Sequence, residues 1–327
     1  MNAAFTICAN NYLASAKVLK DSFSTYHPEI PFFIVLVDKE DPSLKYTDFC
    51  KDNILYINDI AGLDIDDLSK RFNIAELCTT VKPFIFKYLF KKYTQVVYLD
   101  PDIKVYSPLT ECWEALKKYT FVLTPHLMTP IDDDKKPTDF ITLRTGIFNL
   151  GFIGLSSGGE MDGFLDWWGE RVLKYGYTNW NEGMFYDQIW ANYIPVMFNN
   201  YYILKHFGYN VANWNWHERF IEKINESLIV NDKYPLVFFH FSSYKYSSPE
   251  ILCQYNTRYS RDNRADLIPI FDDYYNDLTK AGARITNNLK AYYQERYLEY
   301  KWQRSAPDRT IAKKIKRRII KFLDAII

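Results

Sequence analysis

From its first residues to about position 100, the chain alternates short apolar runs of strand length with stripes of helical period. This limits the fold more than any other feature. Ala3 to Ala9 is such a run, and Asn10-Asn11, suited to a turn or a helix N-cap, follow it. Tyr12 to Tyr26 carries Leu13, Ala16, Leu19 and Phe23 on one helical stripe, and His27-Pro28 stops it. Pro31 to Val37 reads as a second strand and Ile54 to Ile57 as a third. A helical stretch then covers Pro83 to Tyr93, with the proline near its start, where a missing N–H is harmless. Gln95 to Leu99 is the next strand and runs into Asp100-Pro101-Asp102. Alternation of this kind implies an α/β sandwich with a mostly parallel sheet. Ligands of such sheets bind beyond the C-terminal ends of the strands, where both Asn10-Asn11 and Asp100 to Asp102 stand.

Further on, Phe121 to Thr124, Phe148 to Leu155 and Leu236 to His240 read as strands, and Gly163 to Tyr175 as an amphipathic helix. From about Asp266 the chain reads as helical, with a break at Gly282. We expect a catalytic unit over 1–260 and a helical C-terminal extension over 261–327. The 40 basic and 40 acidic side chains cancel, which argues against a dedicated nucleic-acid binder. The five cysteines are scattered with no two-residue spacing, as expected of single thiols in a reducing compartment. With no signal-like start and no long apolar run, the expected location is cytoplasmic.

Four segments carry candidate chemistry. In Val96 to Asp102, an apolar strand delivers two carboxylates one residue apart; side chains two apart in extended chain point the same way and can share a divalent cation. The alternative there is a solvated Asp-Pro-Asp turn. His240 ends an apolar strand and is a candidate third ligand, and Lys245, five residues on, is a candidate phosphate contact. Asn149 and Gly151 interrupt a strand-like run, where glycine can mark close approach of a ligand or backbone. Asp187-Gln188 stand at a helix start, either reaching into a site or simply capping.

Taken in order, these motifs resemble the glycosyltransferase family 8 group with a GT-A fold, which includes bacterial lipopolysaccharide glycosyltransferases and glycogenin. The resemblance runs over roughly residues 3 to 250, and "VVYLDPD" and "FNLGFIGL" are its most specific parts. It implies a Rossmann-like nucleotide-diphospho-sugar transferase that retains anomeric configuration. Asp100, Asp102 and His240 would hold a metal. Asn10, Asn11 and Tyr12 would line the nucleotide pocket, Lys82 would contact the donor, and Asn149 and Gly151 would face the donor sugar. Asp187 and Gln188 would lie on its reacting face, and Lys245 would contact the diphosphate. Two carboxylates and an imidazole suit Mn²⁺ (or Mg²⁺) better than Ca²⁺. The chain departs from the family in having Asn10-Asn11 where an acid is common, Ser243 in place of a glycine, and Lys245 shifted by one position.

Trp214 and Trp216, in a run with Asn213, Asn215 and His217, are a candidate acceptor floor, with core packing as the alternative. Asp132-Asp133-Asp134 reads as a solvated loop. The segment 307–327 has seven basic and two acidic residues, so it carries +5 against −5 for the rest, and Ile311, Ile315, Ile319, Phe322 and Ile326 form an apolar stripe. Such a helix can lie on an anionic membrane surface and meet a lipid-linked acceptor. The expected activity is transfer from a nucleotide-sugar donor, a UDP-sugar, to a glycan or lipid-linked acceptor in surface polysaccharide synthesis. The alternatives are an inactive relative that binds carbohydrate or serves as a scaffold, and a sugar nucleotidyltransferase. The last would want a Gly-rich basic loop after the first strand, which Ala9 to Tyr12 does not supply.

Overall fold

The computed structural model describes residues 1–60 and 62–304; the basic segment 307–327 lies outside the described residues. The first seven strands are β1 (Asn2–Cys8), β2 (Phe32–Leu36), β3 (Ile54–Tyr56), β4 (Gln95–Leu99), β5 (Ile103–Val105), β6 (Phe121–Pro125) and β7 (Phe148–Ser156). A seven-stranded sheet runs β3-β2-β1-β4-β7-β6 and ends on the strand Tyr201–Ile203. Neighbours are parallel except at β7, which is antiparallel to both β4 and β6. The mostly parallel α/β sheet expected from the alternation is therefore present.

The continuous apolar character of β1 follows from burial on both faces. Ala3, Phe5 and Ile7 enter one core layer, with Leu77, Ile85, Phe86 and Trp168 from the helices Ile74–Thr80, Lys82–Leu89 and Met161–Tyr175. Ala4 and Cys8 enter the other, with Leu13, Leu19 and Phe23 of the helix Leu13–Tyr26. This is the two-residue period of a strand expressed as two cores. In the Trp167-Trp168 pair, Trp168 is the buried member and Trp167 packs at the edge.

A third cluster joins Ile270, Phe271, Tyr274 and Leu278 of the helix Ile268–Lys280 to Ala14 and Val18 of Leu13–Tyr26 and to Phe239 and Phe241. Phe241 stacks on Tyr274 with ring centroids 3.7 Å apart. Described residues beyond 260 thus share a core with residues before it. Short β5 leaves the large sheet and pairs antiparallel with the strand Phe238–His240, placing His240 opposite Ile103. This two-stranded ribbon carries one wall of the candidate site.

Candidate functional site

Asp100 lies at the C-terminal end of β4 and Asp102 just before β5, so one turn presents both carboxylates. The ribbon pairing brings His240 to them although it lies 138 positions beyond Asp102 in the chain. Its Nε2 is 3.1 Å from Asp102 Oδ1 and 3.7 Å from Asp100 Oδ2. One ligand atom from each of the three lies within 4.8 Å of the others. The two carboxylates keep 29% and 23% of their side-chain surface exposed and His240 only 4%, so the imidazole is the floor and the acids are the accessible rim.

The donor set fits a hard to borderline divalent ion. Gly151 adds a second indication of fit. A Cβ there would lie 2.4 Å from His240 Cε1 and 2.7 Å from Asp100 Oδ2. The strand β7 must therefore be bare at this point, because Gly151 O also accepts from Asp100 N at 2.7 Å. Gly151 is thus a point of close approach, as its place in the strand suggested, with His240, Asp100 and Asn149 as the neighbours.

Electrostatics follow from burial. Burial raises the Asp100 carboxyl, while Lys82 and His240 hold it down and Asp102 pushes it up. Burial would lower the His240 imidazole, but the carboxylates of Asp102 and Asp100 outweigh it, and the net direction is up. Tyr98, two residues before Asp100 on the same strand face, donates its hydroxyl to Asp100 Oδ1 at 2.5 Å.

Lys82 and Asp187 form an ion pair at 2.7 Å with both side chains almost fully buried. Lys82 also donates to Leu150 O at 2.9 Å and sits 4.1 Å from the centre of the Tyr98 ring. Asp187 occupies the cap position of the short helix Gln188–Tyr193 but makes no capping bond, so the simple N-cap reading is corrected. Its carboxyl is raised by burial and held down by Lys82.

The amides are occupied within the protein. Asn149 Oδ1 accepts from Gly151 N at 3.1 Å and Asn210 Nδ2 at 3.0 Å. Its Nδ2 reaches Gln188 Oε1 and His126 Nε2, each at 3.2 Å. All four hydrogen-bonding positions of this amide are filled, so its place is in the wall and not, in this arrangement, on a sugar hydroxyl. Gln188 Oε1 also accepts from Leu150 N at 3.0 Å, and its Nε2 donates to Thr145 O at 2.8 Å.

Asn10 likewise serves the loop after β2. Its Nδ2 donates to Lys39 O at 2.7 Å, and its Oδ1 accepts from Tyr46 at 2.8 Å. Asn11 differs: its Oδ1 is buried with no hydrogen-bond partner. The Tyr12 phenol is pushed up to about 12 by desolvation, then by the charges of Asp102 and Asp100. Lys245 is exposed in the turn after His240. Ser243 in that turn has φ +66°, the left-handed region that favours glycine.

The two tryptophans part company. Trp214 packs edge-on against His240 and against His126, each with centroids 5.2 Å apart, and belongs to the site wall. Trp216 is 1% exposed among Phe239, Tyr259 and Phe271. It is a core residue, which corrects its expected role as an acceptor floor. Asp133 is also more than a solvated loop residue, since it pairs with buried Arg258 at 2.7 Å and its carboxyl falls to about 2 through that bond.

Three participants escape a reading of the chain by motif: Tyr98, His126 and Asn210. For Tyr98 the signal is its two-residue spacing from Asp100. For Asn210 it is a run of asparagines at 210, 213 and 215 within an apolar segment.

No family model matches the chain. An uncharacterized protein of Bacillus subtilis (strain 168), YfnF, is 24% identical over 252 residues, covering 75% of this chain and 82% of its own. A second from the same organism, YfnD, is 24% identical over 176 residues, covering 52% of this chain and 54% of its own. Among solved structures, the galactosyltransferase LgtC in complex with donor and acceptor sugar analogues is 16% identical, with a TM-score of 0.49. That match covers 85% of this chain and 96% of LgtC. Among the described residues no helix is long and apolar enough to cross a membrane.

Proposed function

We propose that the protein is a metal-dependent glycosyltransferase that moves a sugar from a nucleotide-diphosphate donor, a UDP-sugar, to a glycan or lipid-linked acceptor. The observation that carries this reading is the convergence of Asp100, Asp102 and His240 at the C-terminal end of β4. In the transfer, the bond from the anomeric carbon to the phosphate oxygen breaks and its electron pair stays on the leaving diphosphate. A bond forms to the acceptor hydroxyl oxygen, whose proton is released. A divalent ion at the triad, Mn²⁺ or Mg²⁺, supplies Lewis-acid stabilisation of the leaving diphosphate's charge.

The chain's own residues do the rest. The buried, unpartnered Asn11 Oδ1 is an acceptor suited to a base or ribose donor, and Tyr12, whose phenol feels the charges of Asp102 and Asp100, lines the same pocket. Asp187, paired with Lys82, faces the positive charge that develops on the sugar ring, and Gln188 fixes the wall beside it. Lys245, exposed five residues after His240, contacts the diphosphate. The transfer retains configuration and serves surface polysaccharide or lipopolysaccharide synthesis. The catalytic groups all lie within residues 1–260, and the basic segment 307–327 attaches the enzyme to the inner face of a membrane.

A screen of nucleotide sugars for Mn²⁺-dependent hydrolysis and thermal stabilisation tests this. One donor that stabilises with Mn²⁺ and not with EDTA is the expected result. Hydrolysis unchanged by Asp100→Ala or Asp102→Ala would sink the metal assignment, and no response to any donor would favour an inactive carbohydrate-binding relative.

A further inference from the structure

We infer that Asn210 is a positioning residue that holds a hydrogen on Nδ1 of the His240 ring, so that Nε2, which faces Asp102 and Asp100, is the nitrogen that gives up its proton to an ion. The inference rests on the metal reading above only for its consequence, because the proton placement is set by groups already in the protein. Two main-chain amides fix the polarity of the relay, since an N–H can only donate. Gly151 N donates to Asn149 Oδ1 at 3.1 Å, and Leu150 N donates to Gln188 Oε1 at 3.0 Å. These bonds settle which end of the Asn149 amide is oxygen, and its Nδ2 then donates to Gln188 Oε1 at 3.2 Å.

The next amide follows from the first. Asn210 approaches Asn149 Oδ1 at 3.0 Å, and an oxygen can face another acceptor only through a donor, so that end of Asn210 is Nδ2. The same Nδ2 donates to Thr124 Oγ1 at 2.9 Å. The other end of the amide, Oδ1, is therefore what faces His240 Nδ1 at 3.2 Å. An acceptor there requires Nδ1 to carry a hydrogen. The relay is rigid: Asn210 is fully buried at φ +54°, and Asn215 Nδ2 holds its carbonyl at 3.0 Å.

The alternative placement shows why this matters. Nε2 lies 3.1 Å from Asp102 Oδ1 and 3.7 Å from Asp100 Oδ2, and two carboxylates attract a proton to the very atom a metal needs. Without Asn210, the neutral ring would put its hydrogen on Nε2. A partner behind a ligating histidine is worth about 10- to 100-fold in metal affinity.

The test uses the full chain with ¹⁵N-labelled histidine. Long-range ¹H–¹⁵N spectra are recorded metal-free at pH 9, with His240 assigned by His240→Asn, and Mn²⁺ affinity is read from the electron paramagnetic resonance of the free ion. Wild type should show the Nδ1–H form. Asn210→Gly, which keeps the left-handed backbone, should move the proton to Nε2 and weaken Mn²⁺ binding about 10- to 100-fold. Asn210→Asp, which retains the acceptor, should keep Nδ1–H. An Nε2–H form in wild type, or an unchanged Nδ1–H form in Asn210→Gly, would overturn the inference. A proton that moves as expected in a protein that binds no Mn²⁺ would support the relay and refute the metal reading instead.

Discussion

Replacing Gly151 by alanine adds a single methyl group at the most crowded point of the site, and the outcome can be worked from three distances. The new Cβ would sit 2.4 Å from His240 Cε1, 2.7 Å from Asp100 Oδ2 and 2.8 Å from Asn149 Oδ1. Each is well under van der Waals contact, so something must move by most of an ångström. His240 cannot yield easily, being held by Asn210 behind and Trp214 beside. Asn149 is fixed by four hydrogen bonds. Asp100 can rotate only by giving up the Tyr98 hydroxyl. Overpacking of this kind costs about 1–3 kcal/mol of stability. Because the displaced atoms are ligand atoms, Mn²⁺ affinity should fall by at least about tenfold, or about 1.4 kcal/mol. Denaturant unfolding in EDTA gives the first quantity and calorimetric titration with Mn²⁺ the second. Gly163→Ala, in the helix Met161–Tyr175 with nothing within 4 Å of its Cβ, is the control, and should leave Mn²⁺ binding alone while stabilising by up to about 1 kcal/mol. Wild-type Mn²⁺ affinity and unchanged stability in Gly151→Ala would refute the reasoning.

Other outcomes follow from the same site. Lys82→Met strands Asp187 without its partner and should cost about 3–5 kcal/mol, most of it recovered in Lys82→Met/Asp187→Leu; strictly additive losses in denaturant unfolding would contradict the pairing. Mn²⁺ at 100 times its dissociation constant should stabilise the fold by about 2.7 kcal/mol, and a melting shift of the same size in Asp102→Ala would count against the triad. The buried His126 imidazole is lowered to about 4, chiefly by burial, so the unfolded chain binds the extra proton between pH 6.5 and about 4. Its contribution is complete above pH 6.5 and is lost as pH falls toward 4, about 3 kcal/mol in all. His126→Gln should flatten that part of the stability profile, and an unchanged slope would show that the ring is not buried neutral.

Much of the sheet was legible because its strands are buried on both faces and read as unbroken apolar runs. Gln95–Leu99 is found at its expected bounds, and β1 and β2 within a residue or so. The direction of β7 was not legible, since an apolar strand looks alike in either sense. Short β5 was missed because Ile103-Lys104-Val105 has too few residues to show a period, and the helix Asp139–Thr145 because Phe140 and Leu143 point to solvent. At the site, the acids and His240 were legible from type and place. The amide relay was not, since what an asparagine bonds to depends on approaches between segments 60 residues apart in the chain. Trp216 shows the same limit: ring chemistry could not distinguish a sugar floor from a core.

The ribbon of β5 and Phe238–His240 is short, with three residues paired on each strand. A slip of one residue would turn His240 to the opposite face and break the triad. An ion gripping Asp100, Asp102 and His240 would therefore also act as a peg that locks this short ladder in step with the large sheet. Evolution of the loop after His240 is then constrained twice over, by what it must touch and by the strand alignment it must never disturb.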